Sequence, residues 1–173
     1  MKTSKLDAAS VLEWANQSFS IDLTNGRFIW TNPPRVHPRM LGKEAGSPRL
    51  GRGKPYIHIK YKGRALKRSW LVFLCAYGRW PKECLDHIDR NSLNDALSNI
   101  REATVLQNAW NHRGRKKSTA LPMGIRQLAS GRYNARIAIN RKSICLGTFE
   151  TLDAAHEAYT KTRRELFGDY SGL

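Results

Sequence analysis

Leu85-Asp86-His87-Ile88-Asp89-Arg90-Asn91-Ser92-Leu93-Asn94-Asp95-Ala96-Leu97-Ser98-Asn99-Ile100-Arg101-Glu102-Ala103-Thr104-Val105-Leu106-Gln107-Asn108 is the stretch on which the fold turns. It predicts a short strand over 85–89, a polar loop over 90–98, a second short strand over 99–103 and a helix over 104–112 with Thr104 as N-cap. Adjacent strand residues point to opposite faces. Asp86 and His87 therefore look two ways, so that one can hold a metal while the other approaches a substrate from a different angle. Asn99 follows His87 by twelve residues and Asn108 follows nine later, on the helix, where a side chain can close the metal site from a third side. Hard divalent cations such as magnesium prefer oxygen ligands and keep positions for water and phosphate. Asp86 and the Asn108 side-chain oxygen suit that preference.

Working upstream, 69–77 is a compact apolar run, expected as a helix ending at Gly78 with Pro81 beyond it. Residues 56–61, the pair Lys62-Gly63, and Arg64 onward read as a hairpin, and 31–54, rich in Pro, Gly and Arg, as loop. Residues 19–30 alternate apolar and polar around Asn25-Gly26, which predicts an earlier hairpin. Leu6, Val11, Leu12, Trp14 and Ala15 give 6–16 the spacing of a short helix. Downstream, Arg113-Gly114-Arg115-Lys116-Lys117-Ser118 reads as a linker that like charges keep extended, suited to lying along phosphates. Three strands are expected after it, over 123–127, 132–140 and 142–149, with turns at Ser130-Gly131 and Asn140-Arg141. A helix over 151–167 then follows, capped by Thr151 and ended by Gly168, with Ala154, Ala155, Ala158, Tyr159 and Leu166 as its apolar face.

The chain has 173 residues, enough for two small domains, and a formal net charge of +16. Self-repulsion on that scale costs stability, so a polyanionic partner is the natural explanation. The charge is also clustered. Between residues 35 and 68 Glu44 is the only acid, and from 118 to 149 there is none. Acids gather between 83 and 102 and after Phe149. Basic stretches around an acidic island suggest nucleic-acid contacts around a site that can hold a metal. Cys75, Cys84 and Cys145 show no paired spacing, which argues against a structural zinc site and suits a reducing compartment. No apolar run reaches the roughly 18 residues of a membrane span, and the N-terminal stretch lacks a signal peptide's apolar core. The expectation is a soluble intracellular protein without a membrane partner.

Asp86-His87 followed by Asn91, Asn94, Asn99-Ile100-Arg101 and Gln107-Asn108 resembles an HNH nuclease of the phage and intron-encoded homing type, in the variant whose last His is replaced by Asn. Tyr77-Gly78-Arg79-Trp80-Pro81 and Arg101-Glu102-Ala103-Thr104 resemble that family too, and the similarity covers about 19–111. The resemblance implies that His87 is the general base toward an attacking water. It implies that Asp86 and Asn108 hold a single divalent ion, magnesium or manganese, that binds the scissile phosphate and stabilises the departing 3′ oxygen. Asn99 would hold the loop so that His87 is aimed, with Asn91 and Asn94 ordering the same loop. His112, one helical turn after Asn108, is a rival metal ligand, and Asn111 replaces Asn108 if the helix register slips. Family members often carry His-Arg ahead of the apolar helix. Here the sequence is Lys67-Arg68-Ser69-Trp70, so Lys67 or Arg68 would take over any phosphate contact made by that pair.

The segment 122–173 resembles the APETALA/ethylene-response-factor DNA-binding domain. The likeness rests on Gly124-Ile125-Arg126-Gln127, Gly131-Arg132-Tyr133, Ala135-Arg136-Ile137, Leu146-Gly147-Thr148-Phe149-Glu150-Thr151, Asp153-Ala154-Ala155 and Ala158-Tyr159. It implies a three-stranded sheet laid in the major groove with a helix behind it. Arg126, Arg132, Arg136, Arg141 and Lys142 are the expected DNA contacts, joined by linker residues Arg113, Arg115, Lys116 and Lys117. Leu128, Ser130 and Cys145 stand where plant members often have Arg or Trp, so the plant target sequence does not carry over.

The expected fold is α+β: N-terminal hairpins leading into a ββα-metal nuclease core at about 84–112 within a domain 1–112, a linker 113–118, then a sheet on one helix over 119–173. The expected activity is hydrolysis of double-stranded DNA in a host bacterial cytoplasm by a phage-encoded monomer, which nicks, or homodimer, which cuts both strands. A non-catalytic DNA-binding regulator with a decayed nuclease core is the second reading, opposed by the intact Asp86, His87 and Asn108. An RNA-binding splicing factor ranks last, because aromatic stacking motifs of the RNP type are missing.

Overall fold

The Asp7 carboxylate accepts the Ser10 N–H at 2.8 Å and so opens the first helix, α1 (Ala8–Ser18), which buries Val11 and Ala15. The computed structural model describes residues 6–51, 54–111, 121–139 and 142–172. These form two units, Met1–Asn108 and Ala109–Leu173.

In the first unit α1 runs directly into β1 (Phe19–Asp22), paired antiparallel with β2 (Arg27–Trp30) across the Asn25-Gly26 turn. Gly26 has φ +66, and a Cβ there would lie 2.2 Å from the Asp95 carbonyl oxygen. The alternation sends Phe19, Phe28 and Trp30 to one face, where Phe19 meets Phe28 edge-on at 5.5 Å and Trp30 at 4.3 Å. The region expected as loop over 31–54 contains β3 (Ser47–Gly51), an edge strand of the sheet β3-β4-β5. Its Pro48 is tolerated because an edge strand leaves N–H groups unpaired. β4 (Lys54–Tyr61) turns through Lys62 and Gly63, both at positive φ, into β5 (Arg64–Lys67). Helix α2 (Arg68–Tyr77) follows at once, burying Leu71, Val72, Phe73 and Leu74 and ending in the left-handed Gly78, whose N–H returns to the Leu74 carbonyl. Against this core lies a two-stranded antiparallel sheet, β6 (Cys84–His87) and β7 (Ile100–Ala103), contributing Leu85 and Ile100. Helix α3 (Val105–Trp110) comes next. Thr104 Oγ1 accepts the Gln107 N–H while Gln107 Oε1 accepts the Thr104 N–H, a reciprocal cap that fixes where α3 starts.

The second unit carries β8 (Ile125–Gln127), β9 (Tyr133–Ile139) and β10 (Lys142–Phe149) in the order β10-β9-β8, all antiparallel. Helix α4 (Leu152–Phe167), capped by the Thr151 hydroxyl on the Ala154 N–H, packs on the sheet through Ala155, Tyr159 and Phe167. Its inward face differs from the expected one. Leu166 is 44% exposed, whereas Arg163 is buried. The Arg163 guanidinium is satisfied by the Ser171 and Trp110 carbonyls and the Tyr159 hydroxyl, which a hydrophobicity pattern cannot show. Trp110 stacks on Phe167 at 4.7 Å, so the last residues of α3 belong to the second unit. No helix among the described residues is long and apolar enough to cross a membrane.

Candidate active site

The loop between β6 and β7 is built almost wholly from polar side chains bonding one another. Asn99 occupies its middle. Its Oδ1 accepts the Asp89 N–H at 3.0 Å, and its Nδ2 donates to Asp89 Oδ1 at 3.0 Å and to the Asn94 carbonyl at 2.7 Å. Asp89 also accepts from Asn94 Nδ2 at 2.8 Å and from the Asn91 N–H at 2.7 Å. Asn91 Oδ1 accepts the Leu93 N–H, and the Asn99 carbonyl accepts the Ile88 N–H. Burial pushes the Asp89 carboxyl up, but the Asn94 amide, the Asn91 N–H and the Asn99 amide outweigh it and leave it below its usual value.

His87, mostly buried, is placed at the mouth of this loop with Nε2 2.9 Å from Asp95 Oδ1. Asp95 is 2% exposed, and its second oxygen accepts Arg68 Nε at 2.8 Å. The rest of the Arg68 guanidinium donates to Glu44 Oε1 at 2.7 Å and to the Leu93 carbonyl at 3.0 Å. Arg68, expected at DNA, is therefore 6% exposed and spent on two carboxylates and a carbonyl inside the first unit. Phosphate cannot reach it there. Lys67, by contrast, is exposed at the end of β5 over the Tyr56 ring, and its charge is felt at Cys84.

On the opposite face of β6, Asp86 is 3% exposed and pairs with its cross-strand neighbour Arg101, whose Nε and Nη2 reach Oδ2 at 2.9 and 2.8 Å. Cys84 shares that face with Asp86, two residues away. Asn108 on α3 reaches Cys84, its Nδ2 lying 3.8 Å from the sulfur. Asp86 and Asn108 thus come to one face and His87 to the other. Among the described residues no three of His, Cys, Asp and Glu converge on a common point. The donor chemistry nevertheless suits a hard cation that keeps several places for water and phosphate: one carboxylate and one amide oxygen, with the Arg101 charge already shared by Asp86.

Within β7, Glu102 is gripped by two nitrogens of Arg79, at 2.9 and 2.6 Å, while the Lys82 N–H donates to the same carboxylate. These hydrogen bonds hold the Glu102 carboxyl down to about 2.

In the second unit Ala135 and Ile137 of β9 face α4, so Asn134 and Arg136 face away from it. Arg126 lies opposite Asn134 and Cys145 opposite Arg136, which puts Arg126, Arg136 and Cys145 on one outer face. Asn134 and the Gly147 N–H, with Arg136, hold the Cys145 thiol below its usual value. Lys142 pairs with Ile139 and by register belongs to the other face, and Arg132 is engaged by Glu150 at 3.0 Å. Arg113, Arg115, Lys116, Lys117 and Arg141, with the rival ligand His112, lie outside the described residues. Asp95 escaped the sequence reading because a lone acid among asparagines looks like one more turn cap. Its spacing of eight from His87 was the available signal.

A family model described as HNH endonuclease matches residues 68–110, the span from α2 through α3. The chain is 32% identical over 113 residues to Protein 3.8 of Escherichia phage T7, covering 62% of this chain and 90% of that protein. It is 29% identical over 121 residues to an uncharacterized HNH endonuclease, L560, of Acanthamoeba polyphaga mimivirus, covering 69% of this chain and 63% of that one. The chain thus spans under two thirds of the mimivirus relative. No solved structure matches. Residues 68–110 thus carry an HNH endonuclease domain, and the chain is homologous to a viral HNH endonuclease.

Proposed function

We propose that this protein is a metal-dependent endonuclease of the homing type that hydrolyses a phosphodiester bond in double-stranded DNA. The observation that carries the reading is the two-faced β6 strand, with Asp86 and the Asn108 amide on one side and His87 on the other. Asp86 and Asn108 would hold one magnesium or manganese ion, which supplies charge stabilisation at the scissile phosphate and the leaving 3′ oxygen. His87 takes the proton of the attacking water. Asn99 fixes the loop that carries His87 through its three bonds to Asp89 and Asn94. Lys67 contributes positive charge beside the Asp86 face.

The second unit is proposed as a DNA-binding module of the APETALA/ethylene-response-factor type. Its outer face offers Arg126 and Arg136, and Arg132, Arg141 and Lys142 are proposed as further DNA-contacting cations of the same module. Arginine reads guanine through two hydrogen bonds worth about 1–3 kcal/mol per good pair, and the remaining cations contact phosphate. The basic stretch with Arg113, Arg115, Lys116 and Lys117 adds phosphate contacts. A phage-encoded protein of this kind works in the cytoplasm of the host cell, as a monomer that nicks or a homodimer that cuts both strands.

The test is cleavage of supercoiled plasmid and of genomic DNA by the purified chain, with magnesium or manganese against EDTA, beside His87→Ala. The expected outcome is relaxed or linear product that requires metal and falls about 100- to 10,000-fold in the variant, the usual range for a general base. Product in EDTA, or equal cleavage by His87→Ala, overturns the assignment. Tight binding without cleavage of either DNA points instead to a non-catalytic regulator.

A further inference from the structure

We propose that Asp95 is a positioning residue for His87, and that the line Arg68–Asp95–His87 sets which ring nitrogen takes the proton. The inference rests on the reading of His87 as general base and goes beyond it, since nothing in that reading requires a carboxylate behind the ring. Three observations converge. His87 Nε2 and Arg68 Nε approach different oxygens of one carboxylate, at 2.9 and 2.8 Å. That carboxylate is almost wholly buried. Its backbone is braced from outside the loop, because Gly26 at φ +66 packs directly on the Asp95 carbonyl and the Leu97 N–H donates to the Leu23 carbonyl.

The chemistry follows from the donor inventory. A carboxylate offers only acceptors, and Arg68 only donors. With one oxygen taken by Arg68, the other asks for a proton from Nε2. Neutral imidazole carries one N–H and one lone pair, so a ring that donates from Nε2 presents its lone pair at Nδ1. In the step, the water oxygen forms a bond to phosphorus as its proton passes to Nδ1. The bond from phosphorus to the 3′ oxygen breaks, and the released 3′ oxygen takes a proton from solvent. Asp95 keeps the ring in the reactive tautomer and stops it from rotating. The first hairpin and α2 thereby become part of the catalytic apparatus, because Gly26 and Arg68 hold Asp95 in place.

The decisive variant is Asp95→Asn, which preserves shape. Its amide has one acceptor where Arg68 and His87 each need one, so either the Arg68 bond is lost or the ring is driven into the Nδ1–H tautomer. The expected result is a fall in kcat of about 100-fold, the cost of a misaligned reacting group, with KM for DNA little changed. Ring 15N resonances of His87 would show the Nε2–H form in the wild type and the other form, or a mixture, in the variant. A second measurement separates positioning from folding. In His87→Gly, cleavage restored by added imidazole does not use Asp95 to aim the base. Adding Asp95→Asn to that background should then leave the rescued rate unchanged. If Asp95→Asn cleaves like the wild type and keeps the same tautomer, or if it lowers the imidazole-rescued rate as much as it lowers the native rate, Asp95 has no positioning role. If His87→Ala itself cleaves normally, it is the general-base reading that fails.

Discussion

The loop between β6 and β7 and the outer face of the β8–β9–β10 sheet use polar side chains in opposite ways. In the loop, Asp89, Asn91, Asn94, Asp95 and Asn99 satisfy one another or the local backbone, with His87 and Arg68 drawn into the same network. On the sheet, Arg126 and Arg136 point outward from a segment, 118–149, that holds no acid at all. A closed network fixes atoms to within tenths of an ångström, which chemistry needs. An open array of cations leaves charge available, which is what affinity for a polyanion needs. The cores differ in the same sense. The first unit buries Phe19, Phe28, Trp30 and the apolar face of α2 beneath its loop, whereas the second rests on a few residues between one sheet and α4.

The strongest test of the contrast is Phe28→Ala. Phe28 is fully buried and carries the hairpin whose turn braces Asp95. Truncation should cost about 3–5 kcal/mol, from lost burial and the cavity left behind. Hydrogen exchange should show amide protection weakened through α2, β6 and β7 but kept in β8, β9, β10 and α4. Simultaneous loss in both units would mean that they form one cooperative structure, and the comparison would break.

Arg126→Ala combined with Arg136→Ala should act next most strongly, and on binding alone. Each lost phosphate contact should lower the slope of log K against log salt by about 1, whereas each lost base contact should cost about 1–3 kcal/mol and relax the choice of sequence. The cleavage rate on saturating DNA should not change. A fall in that rate at unchanged affinity would show that the sheet takes part in the chemistry.

Much of this organisation was legible in the sequence because its signals are local. Asn25-Gly26 and Lys62-Gly63 announce tight turns, Gly78 ends α2, and Thr104 with Gln107 writes the start of α3. In β6 the two-residue period alone sends Asp86 and His87 apart. What stayed hidden was non-local. β3 pairs with β4 across a stretch whose Pro and Gly imitate a loop. Arg68 looked like a phosphate ligand because nothing near it in sequence shows Glu44 or Asp95, which lie 24 and 27 residues away. Arg163 is buried for the same reason, its acceptors coming from Trp110 and Ser171. A buried cation is defined by partners, and partners are set by the fold.

Glu102→Gln gives the smallest effect and sharpens the contrast from within the first unit. The Arg79–Glu102 pair has the bidentate geometry of a strong interaction, yet both side chains meet solvent, so screening keeps its contribution modest. The carboxyl titrates near 2 in the folded chain against 4.5 ordinarily. A depressed carboxylate favours folding in full only while it is ionised in both states. Its contribution is therefore complete above about 4.5 and fades as the pH falls from there toward 2. Glu102→Gln should be slightly less stable than the wild type at pH 7, and the two melting temperatures should converge as the pH is lowered through that window. Cleavage at neutral pH should be unaffected, because the Glu102 carboxylate is engaged by Arg79 and the Lys82 N–H rather than by the loop network that carries Asp95. A loss of cleavage as large as that from Asp95→Asn would mean that any charge pair around these strands aims the site. Specificity for the buried line through Asp95 would then be gone, whereas a gap between the two variants isolates burial as what makes a carboxylate a positioning group here.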